Sequence, residues 1–139
     1  MNTPRALGSR SVVAELSNLE AVQDHLAACA TAFGLEPRRV GLLTMALEEI
    51  FVNICDYAYP AGPGTVTISC HEQGEQFVVE VIDEGQAFDV RSVTEPDLEA
   101  DLETRKIGGL GWFLVRKIAD RLDYLRADGR NIVRLSLKR

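Results

Sequence analysis

Residues 65–83 read TVTISCHEQGEQFVVEVID. Val66, Ile68 and Cys70 alternate with polar residues, and after a short link Phe77, Val79 and Val81 do the same. An apolar residue at every second position marks a strand with one buried face. The link from Glu72 to Glu75 contains Gly74 and is short enough for a hairpin, so the two runs are expected to pair antiparallel.

Upstream the period changes. Leu19, Val22, Leu26, Cys29/Ala30 and Phe33 recur at helical spacing, with Asn18 or Ser17 as the N-cap and Gly34 as the stop. A second helix is predicted from Pro37, tolerated in a first turn, to Tyr59, with Val40, Leu43, Leu47, Ile50 and Ile54 as its core face. Pro60, Gly62, Pro63 and Gly64 end it. A short strand is expected over 11–16, and residues 1–10 read as a flexible N-terminus. Downstream, residues 86–107 have no sustained period and carry Glu95, Asp97, Glu99, Asp101 and Glu103. So long a link in a small domain is either functional or disordered, and a solvated flap and a mobile lid are both open readings. A helix from Leu110 to Arg121 and strands at 122–126 and 132–137, turned by Asp128-Gly129, complete the chain. The expectation is a single α+β domain: a two-layer sandwich of one mixed, mostly antiparallel sheet with helices on one face.

The 139 residues, 46% hydrophobic and 26% charged, suit one globular domain. A net charge of −6 argues against direct nucleic-acid binding, which calls for a basic surface. There is no apolar run near the roughly 20 residues of a membrane span and no signal-peptide core, so a cytoplasmic protein is expected. Cys29, Cys55 and Cys70 are odd in number and set among apolar residues; they read as reduced packing residues, with a zinc site improbable beside only His25 and His71. His25, next to Gln23 and Asp24, reads as a surface residue, and Phe51, Tyr57, Trp112 and Phe113 read as packing residues.

Three motifs carry chemistry. On the second helix Leu42, Ala46, Glu49 and Asn53 share a stripe apart from the core face, which can line a pocket or lie in solvent. An amide oxygen suits Mg²⁺, and a carboxylate four residues away can take a proton from an attacking hydroxyl. Glu48, one position round, fits a solvated face. Asp83 ends a strand and precedes Glu84-Gly85. Its carboxylate can accept the exocyclic amine of adenine and would repel the carbonyl of guanine, while Gly85 allows close backbone approach; a plain turn is the alternative. Gly108-Gly109-Leu110-Gly111 opens a helix, where amide groups can bind phosphate or the glycines can act as a hinge. It is neither a Walker A loop nor a Rossmann fingerprint. Arg105 and Lys106 can supply charge to phosphates or stay solvated.

With these motifs in this order, the chain resembles the GHKL ATPase superfamily of gyrase, histidine-kinase and mismatch-repair ATP-binding domains. Within it, the chain is similar to the small stand-alone serine/threonine kinases that act as bacterial anti-sigma factors, over Ser11 to Leu137. The resemblance implies a Bergerat-type α/β sandwich that binds ATP and Mg²⁺. It implies Glu49 as catalytic base, Asn53 as the Mg²⁺ ligand, and Asp83, Gly85 and Ala87 in the adenine box. Gly108, Gly109, Leu110 and Gly111 form the glycine box of KIGGLGWFLVRKIAD, beside Arg105 and Lys106, with 86–107 as an ATP lid. Tyr57 stands where many relatives carry histidine, and Ala87 where many carry glycine. Family members commonly form homodimers, phosphorylate a serine of a STAS-domain anti-anti-sigma protein and sequester a sigma factor. Two other readings stay open: an ATP-binding regulatory module that sequesters a partner without phosphotransfer, and a histidine-kinase-like catalytic fragment.

Overall fold

The computed structural model describes residues 3–87 and 115–139. Five strands form one sheet in the order β1-β2-β3-β5-β4, where β1 is Arg5–Val13, β2 Thr65–Gln73, β3 Gln76–Asp83, β4 Arg121–Ala127 and β5 Arg130–Lys138. The sheet expected as mixed and mostly antiparallel is antiparallel at every described pairing. Two hairpins account for most of this. Gln73 pairs with Gln76 across Gly74-Glu75, and only Gly74 has a left-handed φ, of 63°, as a type II′ turn requires. Ala127 pairs with Arg130 across Asp128 (φ 53°) and Gly129 (φ 75°), the two left-handed residues of a type I′ turn.

The helices α1 (Leu19–Phe33) and α2 (Pro37–Asn53) supply the second layer. Val22, Leu26, Cys29 and Phe33 of α1 and Val40, Leu43, Leu47 and Ile50 of α2 are buried, as the helical period predicts. They join Val66, Ile68, Cys70, Phe77, Val79, Val81, Val133, Leu135 and Leu137 in one core on the helix-bearing face of the sheet. Phe51 is fully buried.

Four expectations are corrected. Residues 5–10 are not a flexible terminus but belong to β1, pairing with residues 68–72 of β2. An edge strand is held by backbone hydrogen bonds along one side, so RALGSR needed no apolar alternation to join the sheet. The second helix does not run as one α-helix to Tyr59; α2 ends at Asn53, and Ile54–Ala58 continue as a π-helical turn. His25 is partly buried, with Nε2 3.2 Å from the Ile68 carbonyl oxygen, because α1 lays that flank on β2. Tyr57, read as packing, is 39% exposed, since the wider π-turn rotates it off the core face. The described end of the predicted third helix is a helical turn over residues 115–118 in which Val115 is fully buried. Among the described residues no helix is long and apolar enough to cross a membrane.

Candidate functional site

The site begins at the end of β3. Phe77, Val79 and Val81 alternate toward the core, and the same alternation carries Asp83 inward, leaving it 3% exposed. A carboxylate there needs partners. Asn131, directly opposite on β5 and 1% exposed, donates from Nδ2 to Asp83 Oδ1 at 2.9 Å, and the Gly85 amide donates to the same oxygen at 2.9 Å. Among the described residues Oδ2 has no donor, so one buried acceptor oxygen is left over. Burial pushes the Asp83 carboxyl above its ordinary value, against the opposing pull of Asn131, the Gly85 amide and the Arg126 guanidinium.

The loop after Asp83 is clamped from three sides. Asn131 Nδ2 also donates to the Gln86 carbonyl at 2.7 Å, Tyr124 donates to Asn131 Oδ1 at 2.5 Å, and Arg126 Nη1 donates to the Gly85 carbonyl at 2.7 Å. On the helix side, the Gln86 amide donates to the Ala58 carbonyl at 2.8 Å and Gln86 Nε2 to the Tyr57 carbonyl at 2.6 Å. Gly85 sits so close to the π-helical turn that a Cβ there would lie 2.2 Å from the Ala58 carbonyl oxygen. Glycine is therefore required for contact with protein backbone, a reason different from the approach to a ligand inferred from the sequence. Tyr59 latches the remaining side: its hydroxyl donates to the Thr65 carbonyl at 2.6 Å and accepts from the Glu84 amide at 2.7 Å. Its ring lies where a Cβ on Gly64 would be, 1.9 Å from that position.

These bonds join the loop to the helix that bears the second motif. Asn53 is 5% exposed, and its Nδ2 donates to the Glu49 carbonyl at 2.9 Å. That bond fixes the amide orientation and leaves Oδ1 without a donor among the described residues. A buried, orphaned amide oxygen fits a hard cation such as Mg²⁺, which takes few protein ligands. Glu49 is half-buried and Glu48 exposed, while Ala46 on the same stripe is fully buried, so the stripe is not a fully solvated face. Asn53 precedes Ala58 by five residues, about 7 Å along a helix axis. Glu49, Asn53, Asp83 and Gly85 are thus brought to one end of the domain, and Ala87 is exposed beside them. Arg105, Lys106, Gly108, Gly109, Leu110 and Gly111, with Trp112, Phe113 and most of the expected lid, lie outside the described residues.

Sequence reasoning missed Asn131, Tyr124, Arg126, Tyr59 and Gln86. Asn131 left a signal: it stands in register with Val133, Leu135 and Leu137 on the core-facing side of β5, a polar residue where the period calls for an apolar one. A concavity of about 780 Å³ elsewhere, on the sheet face without helices, is walled by residues such as Arg121, Arg134 and Lys138. It includes none of the candidate site residues.

Similarity to known proteins follows the same geometry. The family model described as a histidine kinase-like ATPase domain matches residues 12–137. The chain is 31% identical over 91 residues to the serine-protein kinase RsbW of Halalkalibacterium halodurans, a match covering 63% of this chain and 56% of that protein. It is 28% identical over 95 residues to the serine/threonine-protein kinase BtrW of Bordetella bronchiseptica, covering 68% of this chain and 67% of that one. The match thus spans little more than half the length of the first of these relatives. The fold is also that of the crystal structure of the RsbU and RsbW domains of Rv1364c from Mycobacterium tuberculosis, with a TM-score of 0.63, 13% identity, and coverage of 94% of this chain and 32% of that one. With nearly its whole length matched and its buried polar residues gathered where the motifs fall, the chain belongs to the histidine kinase-like (GHKL) ATPase family.

Proposed function

We propose that the chain is an ATP- and Mg²⁺-dependent protein serine/threonine kinase that acts as an anti-sigma factor in a cytoplasmic partner-switching system. Its substrate is a serine of a STAS-domain anti-anti-sigma protein, its other partner a sigma factor, and its working form a homodimer. The observation that carries the reading is the orphaned Asp83 oxygen beside Asn131, in a loop bonded to the helix that holds Glu49 and Asn53. Relatives named as serine and serine/threonine kinases support it.

In this reading Asp83 Oδ2 accepts the exocyclic amine of adenine, and the clamp formed by Asn131, Arg126, Gln86 and Tyr59 keeps it in place. Asn53 Oδ1 would hold Mg²⁺, which would supply charge neutralisation on the phosphates. Glu49 takes the proton of the serine hydroxyl as that oxygen bonds to the γ-phosphorus and the bond to the bridging oxygen breaks, releasing ADP. Arg105, Lys106 and the Gly108–Gly111 run are assigned to the phosphates, and 86–107 to a lid.

Incubation of the chain with γ-labelled ATP and a STAS-domain protein tests this. Label on a serine of the partner, lost in Glu49→Gln with ATP binding retained, supports the kinase. Tight ATP binding without transfer to any STAS partner would favour a regulatory module that uses ATP as a conformational ligand.

A further inference from the structure

Far from the nucleotide end, α1 and β2 bring together three residues with no part in the proposed kinase chemistry. We propose that His25, Cys29 and Cys70 form a binding site for one thiophilic metal ion, Zn²⁺ or Cu⁺, which ties α1 to β2.

The donor atoms of the three residues all lie within 4.8 Å of one another, and Cys29 Sγ is 4.0 Å from His25 Nε2. A metal about 2.3 Å from sulfur and about 2.0 Å from nitrogen holds its ligand atoms roughly 3.5–4 Å apart. One pair already has that spacing, and the widest needs to close by about 1 Å. His25 and Cys29 are four apart on α1, the spacing that puts two ligands on one helix face. Cys70 comes from the core-facing side of β2. Two sulfurs and an imidazole nitrogen are a ligand set that selects soft or borderline ions over Mg²⁺.

Gly8 on β1 lies opposite Cys70 in the strand register, next to a β-bulge. A Cβ at position 8 would come 3.1 Å from His25 Cε1 and 3.2 Å from Cys29 Sγ. Glycine is a poor strand residue, and here the missing side chain lets His25 and Cys29 pack directly against the β1 backbone. Nε2 also lies 3.2 Å from the Ile68 carbonyl oxygen; to ligate an ion it gives up that contact, and Nδ1 carries the ring proton. Binding converts both thiols to thiolates, so each ion releases two protons to solvent. The site is also separate from the nucleotide site. Cys70 lies four residues along β2 from Val66, which pairs with Asp83, a separation of about 13 Å.

The test uses the full chain, reduced and stripped of metal. It is titrated with Zn²⁺ against a chromogenic chelator, and anaerobically with Cu⁺ against a Cu⁺-specific chelator. One ion per chain is expected, with Cys29→Ser, Cys70→Ser and His25→Ala each weakening binding on the order of a hundredfold or more, since even outer-shell changes cost ten- to a hundredfold. Cys55→Ser and His71→Ala should bind as the parent does. The ion bound more tightly is the one this ligand set selects. Failure of both ions to bind at one per chain overturns the proposal, as does equal binding by the Cys29 and Cys70 variants. Should those variants not fold, Co²⁺ added to the unmodified chain is decisive: thiolate-to-cobalt charge-transfer absorption saturating at one equivalent supports the site, and its absence refutes it.

Discussion

Replacing Asp83 by asparagine separates what this carboxylate does for the fold from the nucleotide role proposed for it. The new Oδ1 can still accept from Asn131 Nδ2 and the Gly85 amide, both at 2.9 Å in the parent, so the clamp survives. The orphaned Oδ2 becomes an NH₂ group, which in the proposed nucleotide site would meet the adenine amine as donor against donor. A hydrogen bond to a charged acceptor is worth about 1.5–3 kcal/mol, so ATP affinity should fall about tenfold to a hundredfold. The same NH₂ can donate to the guanine carbonyl, so the preference for ATP over GTP should shrink or invert. Stability should move the other way. Because the carboxyl is raised by burial, its contribution is fully present below the unfolded value of about 3.9 and is lost as pH rises through the folded value. The substituted amide does not titrate, so the variant should gain stability relative to the parent between pH 3 and pH 7. Calorimetric titration with ATP and GTP, with denaturant melts at both pH values, reads all three effects. Unchanged ATP affinity in a folded variant would refute the role given to Asp83.

Three further perturbations probe the supports. Gly85→Ala forces a Cβ to 2.2 Å from the Ala58 carbonyl oxygen, and overpacking of this kind costs about 1–3 kcal/mol, readable as a lower denaturation midpoint together with weaker ATP binding. Tyr59→Phe keeps the ring against Gly64 but loses the bonds to the Thr65 carbonyl and the Glu84 amide, so a loss of about 1–2 kcal/mol is expected in urea denaturation. Asn53→Ala removes the orphaned oxygen. The ratio of ATP affinities measured with Mg²⁺ and with a chelator should collapse toward one, while the parent keeps its Mg²⁺ dependence.

Most of the fold was legible because its elements bury one face, and burial imposes a period. The 65–83 hairpin, both long helices and the Asp128-Gly129 turn appear where alternation, 3.6-residue recurrence and turn chemistry put them. Residues 5–10 were missed because an edge strand held through its backbone leaves no such pattern. The π-helical turn was missed because one extra residue per turn is invisible in five residues of ICDYA. At the site, Glu49, Asn53, Asp83 and Gly85 stood out through residue type and spacing. Their supports did not, because Asn131, Arg126 and Tyr59 act through contacts across 25 to 48 residues of sequence. The meeting of Cys70 with His25 and Cys29 was hidden for the same reason.

The central claim, that Glu49 serves as base for phosphoryl transfer from ATP to a protein serine, is tested most directly by single-turnover transfer. The parent chain and Glu49→Gln are each loaded with γ-labelled ATP and Mg²⁺ and mixed with the STAS-domain partner. The parent should label one serine and Glu49→Gln should lose on the order of a hundredfold or more in rate at equal ATP occupancy. Transfer at the parent rate by Glu49→Gln would contradict the claim.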